Sequence, residues 1–398
     1  MGEAIITRRG GSGDVIVEFD NFIPSDIDLP KHSTSAALSV GRGELAGASV
    51  GNYALFAGGY DGSYRDTVNA YDTFLTRSTP TALSVGKCEL AGASVGNYAL
   101  FAGGYRSASS YNGAVNAYNT SLTRSTPTAL SKARNNLAGA SVGDYALFAG
   151  GYDGSYLDAV DAYDTSLARS TPTALSKARR NLAGASAGNY ALFAGGDSSS
   201  YRDTVDAYDT SLTRSTPTAL SAARQWLAGA SVGDYALFAG GYGSSPTYKD
   251  TVDAYDTSLT RSTPTALSAA RYNLAGASVG DYALFAGGYD GSYLNAVDAY
   301  DTSLTRSTLT ALSAARNNLA GASVGDYALF AGGQSGSSSY SDAVDAYTRS
   351  VPEVRLYMPI GTKYKFGESE ETATTNEITV RAPITGYIKF KNGVIRNG

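Results

Sequence analysis

The chain has 398 residues, 43% of them hydrophobic and 17% charged, with a formal net charge of -5. That acidity, without any Lys- or Arg-rich stretch, argues against nucleic acid as a partner, because non-specific affinity for it comes from clustered cations. One cysteine, Cys88, excludes an intrachain disulfide.

In chain order, the opening Met1-Gly2-Glu3-Ala4-Ile5-Ile6-Thr7-Arg8-Arg9 lacks the apolar centre of a signal peptide, and no apolar run reaches transmembrane length. Neither ordinary secretion nor membrane insertion is expected. A short strand is predicted at Val15 to Phe19, within an N-terminal segment assigned to residues 1–33.

From 34 to 349 one sentence is written seven times, and its opening leucine recurs at Leu45, Leu90, Leu137, Leu182, Leu227, Leu274 and Leu319, spaced 45 or 47 residues apart. A unit of that size cannot bury its own hydrophobic faces and must stack on its neighbours. In the first unit, Leu45 to Gly51 and Tyr53 to Gly59 are predicted as buried strands joined at Gly51-Asn52. Thr67 to Thr73 alternates as a third strand, and Pro80 to Val85 is the expected fourth. Proline recurs in that last segment as Pro127, Pro172, Pro217 and Pro264, and its missing N–H assigns it to the outer edge.

Small residues on the first strand, where blades crowd together, complete an all-β prediction: a seven-bladed β-propeller with small β-rich flanks. The seventh unit stops after Val344 to Tyr347, while Ala37 to Arg42 matches Ala82 to Lys87, so the missing fourth strand is expected from the N-terminal side. Such closure removes an exposed sheet edge. In the C-terminal segment, 350–398, strands are predicted at Ile378 to Val380 and Tyr387 to Phe390, with a hairpin turn at Asn392-Gly393.

The glycine doublets Gly58-Gly59, Gly103-Gly104, Gly150-Gly151, Gly195-Gly196, Gly240-Gly241, Gly287-Gly288 and Gly332-Gly333, each followed by a tyrosine from Tyr71 to Tyr347, make the unit resemble the kelch repeat. The tryptophan of that repeat is replaced by arginine, as at Arg77 and Arg261. Kelch propellers include enzymes, adaptors and adhesins, so the resemblance implies fold and not function. Separately, Ala4 to Gly11 is similar to the start of tail-associated proteins of phages and prophages of Gram-positive gut bacteria. That resemblance implies a place in the virion; the alternative is the bacterial cytoplasm.

The seven copies can be compared with one another. Two segments differ in nearly every unit, and in an up-and-down blade both lie at the same end. The first follows the glycine doublet, at Tyr60, Tyr105, Tyr152, Asp197, Tyr242, Tyr289 and Gln334. The second precedes the first strand and supplies Glu44, Glu89, Asn136, Arg180, Asn181, Gln225, Trp226, Tyr272, Asn273 and Asn318. These positions are the candidate ligand-binding residues, since loops on a rigid scaffold commonly carry recognition. Trp226 and Tyr272 are a candidate stacking platform for a sugar, with Arg180 one blade back. A basic ring, Arg42, Lys87, Arg134, Arg179, Arg224, Arg271 and Arg316, is expected to be structural, pairing with carboxylates or carbonyls between blades.

Catalysis finds little support. His32, the one histidine, is placed outside the ring, which removes Ser-His-Asp triads and histidine-ligated metals, and neither metal nor cofactor is expected. The remaining candidates are Glu44 and Glu89 as a glycosidase pair, set against solvated loop carboxylates. The expected function is non-enzymatic recognition of a bacterial surface glycan or surface protein. Contacts to other tail subunits run through the flanks, and self-association is left open. The class alternative is a structural or protein-interaction propeller.

Overall fold

A computed structural model of the chain describes residues 29–106 and 110–349 in full. Outside them it describes strand backbone at 6–7, 15–18, 353–357, 363–366, 369–372, 377–381 and 387–390. The chain divides into two compact units, Pro30–Thr348 and a second formed by Met1–Leu29 with Arg349–Gly398.

The larger unit is a seven-bladed β-propeller, each blade a four-stranded antiparallel sheet. Blade one contains Ala46–Val50, Tyr53–Ala57, Val68–Asp72 and Arg77–Ser78 from the axis outwards. The inner strand is made of small residues because seven of them converge. A Cβ on Gly47 would overlap the carbonyl oxygen of Gly321 in the preceding blade, and the same close approach repeats around the ring. Serine hydroxyls stitch the inner strands together: Ser49 Oγ donates to Ser323 O, Ser94 Oγ to Ser49 O and Ser141 Oγ to Ser94 O, at 2.6–2.7 Å.

The second strand, Tyr-Ala-Leu-Phe-Ala, is buried on both faces, which explains its lack of alternation. Each core cluster spans two blades. Leu55, Val68 and Ala70 of the first blade pack against Ala99, Phe101 and Tyr118 of the second. The buried tyrosine lies edge-on to the blade's phenylalanine and its hydroxyl donates to the preceding connector, as Tyr71 does to Ala36 O at 2.8 Å.

The outer edge differs from the sequence expectation. The fourth strand is the two-residue Arg77–Ser78, not Pro80 to Val85, because Ser78 and Arg77 register with Ala70 and Tyr71 while the proline that follows cannot extend the ladder. Ring closure shifts in the same way. The seventh blade is completed by Lys31–Thr34, pairing antiparallel with Val344–Thr348, and Ala37 to Arg42 is a connector. His32, expected outside the ring, therefore stands in its outermost strand, at the place held by Arg77 in blade one.

The smaller unit joins the two flanks. Val15–Glu18 pairs with Ile6–Thr7 on one side and Tyr387–Phe390 on the other, so both flanks share one three-stranded sheet. Glu353–Tyr357 pairs with Glu377–Arg381, and Lys363–Phe366 with Ser369–Thr372. The turn expected at Asn392-Gly393 and most of Ala4 to Gly11 lie outside the described residues. Among the described residues, no helix is long and apolar enough to cross a membrane.

Candidate ligand-binding face

Both variable segments meet at one end of the propeller. Tyr60 exchanges backbone hydrogen bonds with Gly43, and equivalent bridges join Cys88 to Tyr105, Asn135 to Tyr152, Arg180 to Asp197 and Tyr272 to Tyr289. In blade five the bridge grows into a short ladder between Arg224–Gln225 and Tyr242–Gly243.

Inside this belt, seven residues encircle the axis in the left-handed conformation: Glu44, Glu89, Asn136, Asn181, Trp226, Asn273 and Asn318, with φ between 50 and 56°. Their peptides form a closed head-to-tail ring. Glu89 N donates to Glu44 O, Asn136 N to Glu89 O, and so on through Asn318 to Glu44, at 2.9–3.1 Å. The ring explains the asparagines, since that side chain tolerates positive φ better than most. It also singles out Trp226, Glu44 and Glu89, which adopt the same conformation at a steric cost that asparagine largely avoids. Strain held against an available alternative is a pointer to function.

These seven residues and the leucines that follow them line a cavity of about 340 Å³ at the mouth of the central channel. Each of the leucines, Leu45 through Leu319, keeps 7% of its surface exposed, so the floor is apolar beneath a polar rim. Glu44 and Glu89 occupy adjacent places. Burial, then the neighbouring Glu44, raises the Glu89 carboxyl above its usual range, while amide donors oppose the rise: Asn135 Nδ2 at 2.5 Å and Asn136 Nδ2 at 3.2 Å. Cys88 is buried beside them, and burial followed by the two glutamates pushes its thiol up, in keeping with an inert thiol.

The structure brings Trp226 and Tyr272 together, their rings 5.5 Å apart and 32° from parallel. Tyr242 lies edge-on to both, and Tyr248 stacks on Tyr272 at 5.8 Å. Arg180 is not part of this group. Its guanidinium lies toward blade three, 4.8 Å over Tyr152 and 5.5 Å over Tyr156, with Nε 3.4 Å from Asp197 Oδ1. Gln225 is buried and accepts from Asn181 Nδ2 at 2.9 Å, so it supports the rim from beneath.

A second tyrosine escaped the sequence reading. Tyr64, Tyr111, Tyr156, Tyr201, Tyr248, Tyr293 and Tyr340 occur in all seven loops, four or six residues after the first loop position. They interleave with Tyr60, Tyr105, Tyr152, Tyr242 and Tyr289 as an aromatic girdle with ring spacings of 5.2–6.1 Å. The girdle is interrupted where Asp197 and Gln334 replace the first tyrosine. Comparing copies for variation overlooks a residue present in every one; its signal is a constant tyrosine inside a loop of changing length.

The basic ring is fully buried and structural. Its partners lie in the second and third strands of the blade each residue precedes, not across to a neighbour: Arg134 Nη2 lies 2.9 Å from Asp161 Oδ2 and donates to Phe148 O at 3.0 Å. Blades one and two depart from this pattern. Asn69 and Asn116 hold the aspartate position there, Arg42 Nη2 donating to Asn69 Oδ1 at 3.0 Å and Lys87 Nζ to Ala114 O at 2.9 Å, and those are the blades whose mouth residue is glutamate.

No family model and no curated protein matches this chain. Among solved structures, that of YjhT aligns over 69% of this chain and 99% of its own, with 13% identity and a TM-score of 0.53. At that identity the likeness supports the fold alone.

Proposed function

We propose that the propeller is a non-enzymatic recognition module that binds a bacterial surface glycan at the mouth of its channel. The observation that carries this reading is the ring of seven left-handed residues, in which Trp226, Glu44 and Glu89 stand at positions where asparagine would sit with less strain. An aromatic wall, amide and carboxylate groups, and a concave mouth are what sugar recognition uses: a flat apolar sugar face on an aromatic ring and hydroxyls on polar groups. The similarity of Ala4 to Gly11 to tail-associated phage proteins supplies the setting. In that setting the propeller attaches a virion to its host, and the flanks contact other tail subunits.

The test is retention of the full chain on immobilised Gram-positive cell-wall polysaccharide. Trp226→Asn, which keeps the ring conformation, should reduce retention about tenfold, the loss expected for one stacking aromatic. Asp234→Ala, in the turn at the opposite end, should leave it unchanged. Equal retention of both variants refutes the assignment of the face.

The adjacent Glu44 and Glu89, with the Glu89 carboxyl raised, favour one second reading: a glycan hydrolase with Glu89 as the acid. Turnover of the polysaccharide that disappears in Glu44→Gln would replace the recognition reading.

A further inference from the structure

The mouth is chemically lopsided, and its order is fixed by the hydrogen-bonded ring. Glu44 and Glu89 are neighbours, followed by Asn136 and Asn181, then Trp226, then Asn273 and Asn318, which lead back to Glu44. The first two amides are engaged. Asn136 Nδ2 donates to Glu89, and Asn181 Nδ2 to Asp197 Oδ1 and Gln225 Oε1, both at 2.9 Å. The side-chain amides of Asn273 and Asn318 have no partner among the described residues, and both line the cavity, Asn273 next to Trp226 and Asn318 between Asn273 and Glu44.

We propose that the mouth selects a single neutral sugar residue carrying an acetamido group. The sugar ring lies on Trp226, the acetamido amide pairs with Asn273 and Asn318, and its methyl rests on the leucine floor. This inference rests on the glycan-recognition reading above and names the ligand of that same site. The cavity of about 340 Å³ is near the lower end for ligand sites and suits one residue of a glycan instead of a chain lying across the face. The leucine side chains of the floor offer no hydrogen-bond partner, so a hydroxyl directed at them loses its water without replacement, whereas a methyl gains contact. The two carboxylates act by exclusion. A uronic or other acidic sugar would bring a third anion into the same half-buried mouth, and rejection by like charge is an effective source of specificity.

The experiment is ligand-observed NMR and titration of the full chain with the methyl glycosides of N-acetylglucosamine, N-acetylgalactosamine, glucose, glucosamine and glucuronic acid, alongside the cell-wall polysaccharide. At least one acetamido sugar should bind about tenfold or more tighter than glucose, the effect of one net hydrogen bond. Glucuronic acid should not bind the native protein and should gain measurable binding in the Glu44→Gln/Glu89→Gln double variant. Trp226→Asn should lose the acetamido sugar while its melting curve confirms folding. If glucose matches the acetamido sugars, or glucosamine binds tightest because the carboxylates attract a cation, the acetamido assignment is overturned and glycan recognition stands. Binding of polysaccharide with no monosaccharide overturns the single-residue cavity. Binding of neither the polysaccharide nor any sugar refutes the recognition reading itself.

Discussion

His32 Nε2 lies 2.6 Å from Asp345 Oδ1, a hydrogen bond between residues 313 positions apart that ties the closing strand to the seventh blade. In blades three to six the equivalent carboxylate accepts from Arg169, Arg214, Arg261 and Arg306 at 2.9–3.3 Å. The imidazole thus replaces an outer-strand arginine. His32→Ala should cost about 1–3 kcal/mol by leaving a buried carboxylate short of a partner. His32→Arg should be close to native in thermal melting. Burial opposes ionisation of Asp345, but Arg316, His32 and the Ser313 amide outweigh it and hold the carboxyl below its usual range. Its stabilising contribution is present above the ordinary value of 3.8 and is lost as pH falls through the lower folded value, so acid unfolding of the His32→Ala variant should begin at a higher pH.

Closure by Lys31–Thr34 makes a sharp truncation prediction. A fragment spanning Pro30–Thr348 retains the strand and should give a monodisperse, cooperatively melting propeller. One beginning at Ala36 exposes the edge of Val344–Thr348 and should aggregate. Size-exclusion chromatography and thermal melting separate the two, and equal behaviour contradicts the closure.

Lys87 is fully buried and donates to Ala114 O at 2.9 Å, and the aspartate position of its blade is held by Asn116, whose Nδ2 has no partner. Burial lowers its ammonium to about 7. A lysine with a depressed folded value is destabilising below that value, and stability rises with pH from about 7 toward the ordinary 10.5. Asn116→Asp supplies the carboxylate found in blades three to seven. It should raise the melting temperature at pH 6–7, by roughly 2–4 °C for each kcal/mol recovered, with the gain shrinking by about pH 10. A gain independent of pH would mean that Lys87 charge is not the cause.

At the mouth, Glu44 is the second cause, after burial, of the raised Glu89 carboxyl. A raised carboxylate stabilises below its unfolded value, near 4.5, and that contribution is lost as pH rises toward the folded value. Glu44→Gln should move the Glu89 titration downward and flatten the decline in stability across that window. Carbon-13 NMR of the glutamate carboxyls reads the shift, and an unmoved Glu89 titration would show that the two groups are uncoupled.

Local pattern was enough for the repeat, the four strands per blade, the seven blades and the end at which the variable loops gather. Glycine doublets, alternating residues and a period of 45 or 47 residues are short-range signals, and seven copies repeat each of them. The outer strand was misplaced because its two residues, Arg77 and Ser78, carry no apolar pattern; their pairing is decided by register with Tyr71 and Ala70. His32 looked peripheral for the same reason, since its partner Asp345 is distant in sequence. The chemistry of the mouth belongs wholly to the tertiary level. Only closure of the ring turns residues about 45 apart into neighbours, joins their peptides head to tail and holds each at positive φ. That geometry makes asparagine the unstrained choice and marks Trp226, Glu44 and Glu89 as departures from it.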